Sequence, residues 1–185
     1  MAVRSGFDWS AFFTGALALL LLAIVLGAAV IFGGLYPVGA STGDPPGVGP
    51  ILGASRDHAV ERSASGLKAP TLTQADILSG GSHFKGMCQE CHGGPGATRE
   101  DFAGAMNPSP PDLAEATGDL STEQVFWIAK NGLKMTGMPA FGKTDSDEML
   151  WKVAAFVKTL PKVSPGQYAA LPNAHGKQEA GHDSD

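Results

Sequence analysis

Cysteine is nearly absent: Cys88 and Cys91 are the only two among 185 residues. A disulfide framework is therefore excluded, and a bond between these two would close a loop too small to add much stability. No second pair of ligand residues at suitable spacing follows, so a four-ligand structural zinc site is excluded as well. A basic surplus is also missing. Thirteen Lys and Arg stand against eighteen Asp and Glu, for a net charge of -5, which argues against a nucleic-acid partner. No segment alternates apolar and polar residues as a half-buried strand does. The fold expected is all-α, and a thioredoxin-like Cys-x-x-Cys, which belongs in a βαβ context, is not supported.

Charge is missing from one long run. Residues 11–35, "AFFTGALALLLLAIVLGAAVIFGGL", hold no charged side chain, and Thr14 is the only polar one. As a helix the run exceeds a hydrocarbon core of about 30 Å. Trp9 and Tyr36 flank it where an aromatic belt belongs. It is longer than a signal-peptide h-region of about 7–15 residues, so an uncleaved anchor is expected over cleavage near Val38-Gly39-Ala40. Arg4 precedes the run, and no Lys or Arg follows until Arg56. The N-terminus is therefore expected in the cytoplasm and the rest outside.

Glycine (25) and proline (13) are plentiful. Residues 1–36 read as the anchor. Residues 37–70, rich in Pro, Gly and Ser without a sustained apolar period, read as a tether with a reach of roughly 30 Å. Residues 71–170 read as the folded domain, and 171–185, which include His175 and His182, as a disordered tail. Three helices are expected in the domain. The first starts near Thr73, with Asp76 as its capping-box partner, and runs toward Cys88. The second starts at Ser121, with Gln124 in the matching position, and stops at Asn131-Gly132. The third starts between Thr144 and Ser146, carries Leu150, Val153, Ala154 and Val157 at helical spacing, and ends before Pro161. Three shortish helices supply little apolar core for a hundred residues, so something else is expected to fill the centre.

That expectation meets the motif Cys88-Gln89-Glu90-Cys91-His92. Positions i, i+3 and i+4 of a helical turn share one face, so one turn presents two thiols and an imidazole to a single flat object. Cys-x-x-Cys-His is the attachment signature of haem c, with two thioether bonds and one axial nitrogen. The distal ligand must come from elsewhere. Met138, in "KMTGMPAFG" with Pro139 stiffening the backbone behind it, is the leading candidate. Met135, Met106, a histidine or an open site are the alternatives. Met87 adjoins Cys88 and cannot reach around, and Met149 reads as core. His83, one turn before Cys88, reads as a surface residue, and His58 lies in the tether. Trp127 reads equally as a core aromatic or as an indole donor to a haem propionate; Trp151 reads as core.

The pieces "GSHFKGMCQECHG", "NPSPPDL", "FWIAKNGLKMTGMPAFG" and "SDEMLWKVAAFVKTLP", in this order, resemble the class I monohaem cytochromes c of the membrane-anchored bacterial kind. The resemblance implies that the Pro111 carbonyl meets Nδ1 of His92, that Leu113 packs on the haem ring, and that Met138 is the distal ligand. It further implies that Gly81 and Phe84 pack against the third helix near Trp151 and Phe156. A His/Met haem with both axial positions filled implies outer-sphere electron transfer. The expected function is a membrane-anchored periplasmic electron carrier rather than an enzyme. It would run between a quinol-oxidising complex or dehydrogenase and a terminal oxidase, reductase or photosynthetic acceptor, as a mobile shuttle or a complex subunit. The alternative is a haem protein with an open or displaceable distal site, acting in catalysis or ligand sensing.

Overall fold

A computed structural model describes residues 8–173, divided into two units between Thr42 and Gly43. In the first, helix α1 spans Trp9–Phe32. Asp8 caps it by accepting from the Ser10 and Ala11 amides, and Gly33 ends it. At 1.5 Å per residue its 24 residues measure about 36 Å, enough to cross a bilayer core. None of its side chains is buried in protein, as an apolar helix that meets lipid would require.

The second unit is helical, and among the described residues it has no strand beyond a single antiparallel bridge between Gly94 and Ala97. Helix α2, Val48–Ala64, corrects the reading of residues 37–70 as an irregular tether. Its buried positions are confined to its C-terminal half, where Val60 and Ala64 are buried. These residues belong to a helix that packs on a later one of the same unit, and the connection is held by the Ala69 amide donating to Glu123 at 3.2 Å. The N-terminal turns leave Ile51 and Leu52 exposed.

Helix α3, Gln74–Met87, begins with the expected capping box between Thr73 and Asp76. It leads directly into the short α4, Gln89–His92. Two further single turns follow, α5 at Asp101–Gly104 and α6 at Leu113–Ala116. Helix α7, Thr122–Asn131, starts at a Ser121/Gln124 capping box and ends at Gly132. Helix α8, Asp147–Val157, is capped by Ser146. Finally α9, Pro165–Ala169, is set by a Ser164/Gln167 capping box.

The centre of the unit is the crossing of α3 and α8. Gly80 and Gly81 permit it: a Cβ on Gly80 would strike the Lys152 carbonyl, and one on Gly81 would lie 2.6 Å from the Phe156 ring. Phe84, Phe156 and Tyr168 fill the space around the crossing, fully buried, with the Phe84 and Phe156 rings 5.7 Å apart. Each such side chain contributes about 1.5–3 kcal/mol relative to exposure. Trp151 stacks on Phe126 with centroids 3.8 Å apart, joining α8 to α7. Lys158 closes the far end, donating to the carbonyls of Thr117 and Leu120.

One boundary moves. Leu171 is buried in the core, and its carbonyl accepts from Lys85 at 2.8 Å, so the tail does not begin there. Residues 174–185, with His175 and His182, lie outside the described residues. His83 is not a plain surface residue: its Nε2 lies 3.0 Å from Asp145, and both side chains are largely buried.

Candidate haem-binding site

The proximal half is one continuous turn. Cys88 ends α3, its amide donating to the Phe84 carbonyl at 2.8 Å, and the Cys88 carbonyl in turn accepts from His92 at 2.9 Å. This places Cys88, Cys91 and His92 on successive positions of one helical face. Both sulfhydryls are free. Burial pushes the Cys88 thiol up to about 12. Burial, and then the Glu90 carboxylate, push Cys91 up as well. A disulfide oxidoreductase needs the opposite, a thiol depressed toward the thiolate.

Behind the turn the chain folds back tightly. Gly93 (φ 71) opens a reversal closed by the Gly94 and Ala97 amides, each donating to the other's carbonyl, and the Glu100 amide reaches the Glu90 carbonyl at 2.8 Å. A Cβ on Gly94 would lie 2.5 Å from the Tyr168 ring, so glycine is what lets α9 press against the turn. The Tyr168 hydroxyl donates to Gln89 Oε1 at 2.9 Å. Lys85 donates to the carbonyls of Ala169 and Leu171.

His92 Nδ1 lies 2.9 Å from the Pro111 carbonyl oxygen, the pair that the resemblance implies. A carbonyl only accepts, so Nδ1 carries the proton and Nε2 keeps its lone pair. Burial lowers the pKa of His92 most, the Pro111 contact opposes it, and the Arg99 charge lowers it further. A neutral imidazole whose Nε2 keeps its lone pair can serve as a metal ligand held in one tautomer. Pro111 follows Pro110, whose carbonyl accepts from Arg99 Nη1 at 2.7 Å. Asp112 then caps α6, and Leu113 packs half-buried against the core.

Met138 lies in the loop between α7 and α8. Gly132 holds φ 65, and a Cβ there would sit 2.7 Å from the Pro139 carbonyl. The Leu133 amide donates to the Met138 carbonyl at 3.3 Å, and Thr136 Oγ1 accepts from the Met138 amide at 3.1 Å. The loop thus closes on itself around Met138, which is half-buried. Met135, at φ 59, is 75 % exposed. Met106 does not lie apart from this loop: its sulfur packs on Gly137, 2.7 Å from where a Cβ would stand. Met149 packs on the core. Trp127 is half-buried on α7, and its indole makes no hydrogen bond among the described residues.

Two free thiols and a neutral imidazole on one face, backed by a carbonyl, fit a covalently attached haem. No group of three or more His, Cys, Asp or Glu among the described residues offers a competing metal site. Sequence reasoning missed Arg99, Lys85, Tyr168 with Gln89, and the His83–Asp145 pair. Only Tyr168 carried a local signal, the Ser164-Pro165-Gly166-Gln167 helix start just before it.

Residues 75–157 match the family model described as "Cytochrome C oxidase, cbb3-type, subunit III". No curated protein and no solved structure gives a significant match. The match begins within α3 and ends with α8, so it takes in the Cys-x-x-Cys-His turn and the Met138 loop. Residues 75–157 therefore form a c-type cytochrome domain, that of an electron-transfer haem c protein, and before it the described residues hold one helix long and apolar enough to cross a membrane.

Proposed function

We propose that this cytochrome is a periplasmic one-electron carrier, tethered to the bacterial inner membrane by α1 and ligated through His92 and Met138. The observation that carries the reading is the His92 Nδ1 contact with Pro111 at 2.9 Å, which puts the proton on Nδ1 and leaves Nε2 its lone pair. Haem c, when bound, supplies a one-electron iron couple. Cys88 and Cys91 would hold it by thioether bonds, which would keep the cofactor with a domain outside the cytoplasm. His92 would give the proximal nitrogen. Met138 gives a thioether from a loop braced by Gly132 and Thr136. Leu113, packed against the apolar core, would help to keep water from the site. With His92 and Met138 both as ligands, little room would be left for ligand chemistry at the iron, and one-electron exchange is the chemistry the group would supply.

Partners are redox proteins of a membrane chain, a quinol-oxidising complex or dehydrogenase on one side and an oxidase, reductase or photosynthetic acceptor on the other. The description of the matching family, an oxidase subunit, favours a place in or beside a terminal oxidase. The basic residues support the orientation: Arg4 precedes α1, and none follows before Arg56.

The test is carbon monoxide binding to the ferrous protein. Met138→Ala should keep its covalent haem and bind the gas readily, whereas wild type and Met135→Ala should not. Binding gained in Met135→Ala and not in Met138→Ala overturns the ligand assignment. Ready binding by wild type favours the open-site reading instead.

A further inference from the structure

Four residues lead into the carbonyl that meets His92: Pro108, Ser109, Pro110 and Pro111. Three of them lack an amide hydrogen, so only Ser109 could be held through a backbone donor. A segment of this kind is positioned through its carbonyls, by donors that come from elsewhere. Two such donors reach it, the His92 ring at Pro111 and the Arg99 guanidinium at Pro110. The His92 bond cannot position the segment on its own, because it is the interaction being positioned.

Arg99 is anchored to the same turn that carries the thiols. A Cβ on Gly93 would stand 3.4 Å from the Arg99 amide nitrogen. The next amide, that of Glu100, donates to the Glu90 carbonyl inside the Cys-x-x-Cys segment at 2.8 Å. The backbone of Arg99 is thus fixed to the turn, and its side chain spans the gap to the proline segment at 2.7 Å. One rigid piece then holds both ends of the His92 contact: the imidazole through the turn and its acceptor through the guanidinium.

We propose that Arg99 is a positioning residue for the proximal ligand, acting through the Pro110 carbonyl to fix the Pro111 carbonyl against His92 Nδ1 and so to set the strength of that bond. The inference rests on the reading of His92 as the axial ligand. A firm Nδ1–H bond to an acceptor makes an imidazole a more basic ligand and favours the oxidised iron. Loosening it should raise the reduction potential. Loss of the Arg99 charge acts in the other direction, since a nearby cation favours the reduced state. Arg99 is exposed, so salt screens that second effect.

The experiment compares wild type with Arg99→Gln and Arg99→Lys in the full-length holoprotein. Two quantities are read: hydrogen exchange of the His92 Nδ1 proton by NMR of the reduced, diamagnetic state, and the reduction potential at high salt. Arg99→Gln should exchange about tenfold faster or more, as expected when a charge-assisted bond holding the acceptor is lost, and its potential should rise. Arg99→Lys, which keeps the charge but not the planar fork, should fall between the two. Exchange unchanged in Arg99→Gln overturns the proposal, as does a potential that falls at high salt. Failure of the underlying reading looks different: wild type itself would then lack a His92 ring resonance shifted by the haem ring current.

Discussion

Gly132→Ala probes the distal loop without touching a ligand. Gly132 adopts φ 65 and ψ −175, a conformation that costs a residue with a side chain about 1–3 kcal/mol. The new methyl would stand 2.7 Å from the carbonyl carbon and oxygen of Pro139 and 2.8 Å from the Ala140 nitrogen. These are backbone atoms and cannot swing aside as a flexible side chain would, so overpacking adds about 1–3 kcal/mol. The total, about 2–6 kcal/mol, corresponds to a Tm lower by at least about 8 °C for a domain of this size. The atoms struck belong to the residues directly after Met138, so relief of the clash shifts the Met138 sulfur. The assay is thermal unfolding of the oxidised holoprotein followed at the weak red-end absorbance band of sulfur-to-iron charge transfer. That band should weaken in the variant before any melting. Gly104→Ala is the control, since a Cβ there meets nothing within 4 Å. A Gly132→Ala protein that melts with wild type and keeps the full band refutes the account of the loop.

The Thr73 hydroxyl first, then its amide and Lys152, hold the Asp76 carboxyl at about 2, below its ordinary 3.8. The folded value is the depressed one, so its stabilisation is full above pH about 4 and is lost as pH falls through 2; the stability gap between wild type and Asp76→Asn should close over that window, and a gap independent of pH contradicts it. Val60→Asp places a charge at a buried position of α2 and should release that helix, exposing residues 65–72 to limited proteolysis; wild-type protection would show that the packing of α2 does not depend on Val60. From Gln124 to Thr144 the chain has three lysines and no acid, a candidate docking face for an acidic partner. Lys130, however, pairs with Asp147 at 2.7 Å, so Lys134→Gln and Lys143→Gln should flatten the salt dependence of electron transfer more than Lys130→Gln does; an equal effect from all three would undo this ranking.

What was legible in the sequence was local. Helices α3, α7 and α8 announce themselves because Thr73, Ser121 and Ser146 each accept from an amide within the next turn, a pattern readable over four residues. The Cys-x-x-Cys-His turn is contiguous, and its helical geometry was readable for the same reason. Helix α2 was not, because its N-cap is Gly47 at φ 87, without a side-chain bond, and only Val60 and Ala64 mark its buried side. The Met138 loop was legible as a stiff Gly- and Pro-flanked segment, yet its packing against Met106 was not, since that contact joins residues about thirty positions apart. Arg99 with Pro110, His83 with Asp145, and Lys85 with the carbonyls of Ala169 and Leu171 are likewise set by the tertiary fold. No local pattern encodes such pairs, because their geometry exists only once the chain has folded.

The central claim is a single covalent haem c with protein ligands on both faces, used for electron exchange. Redox titration of the purified full-length protein, followed by its visible spectrum, tests it most directly. The account predicts one one-electron wave, a haem that stays with the chain on denaturation, and a red-end band in the oxidised form that disappears on reduction. A haem that denaturation releases, or an oxidised form with no such band and an open iron, would contradict it.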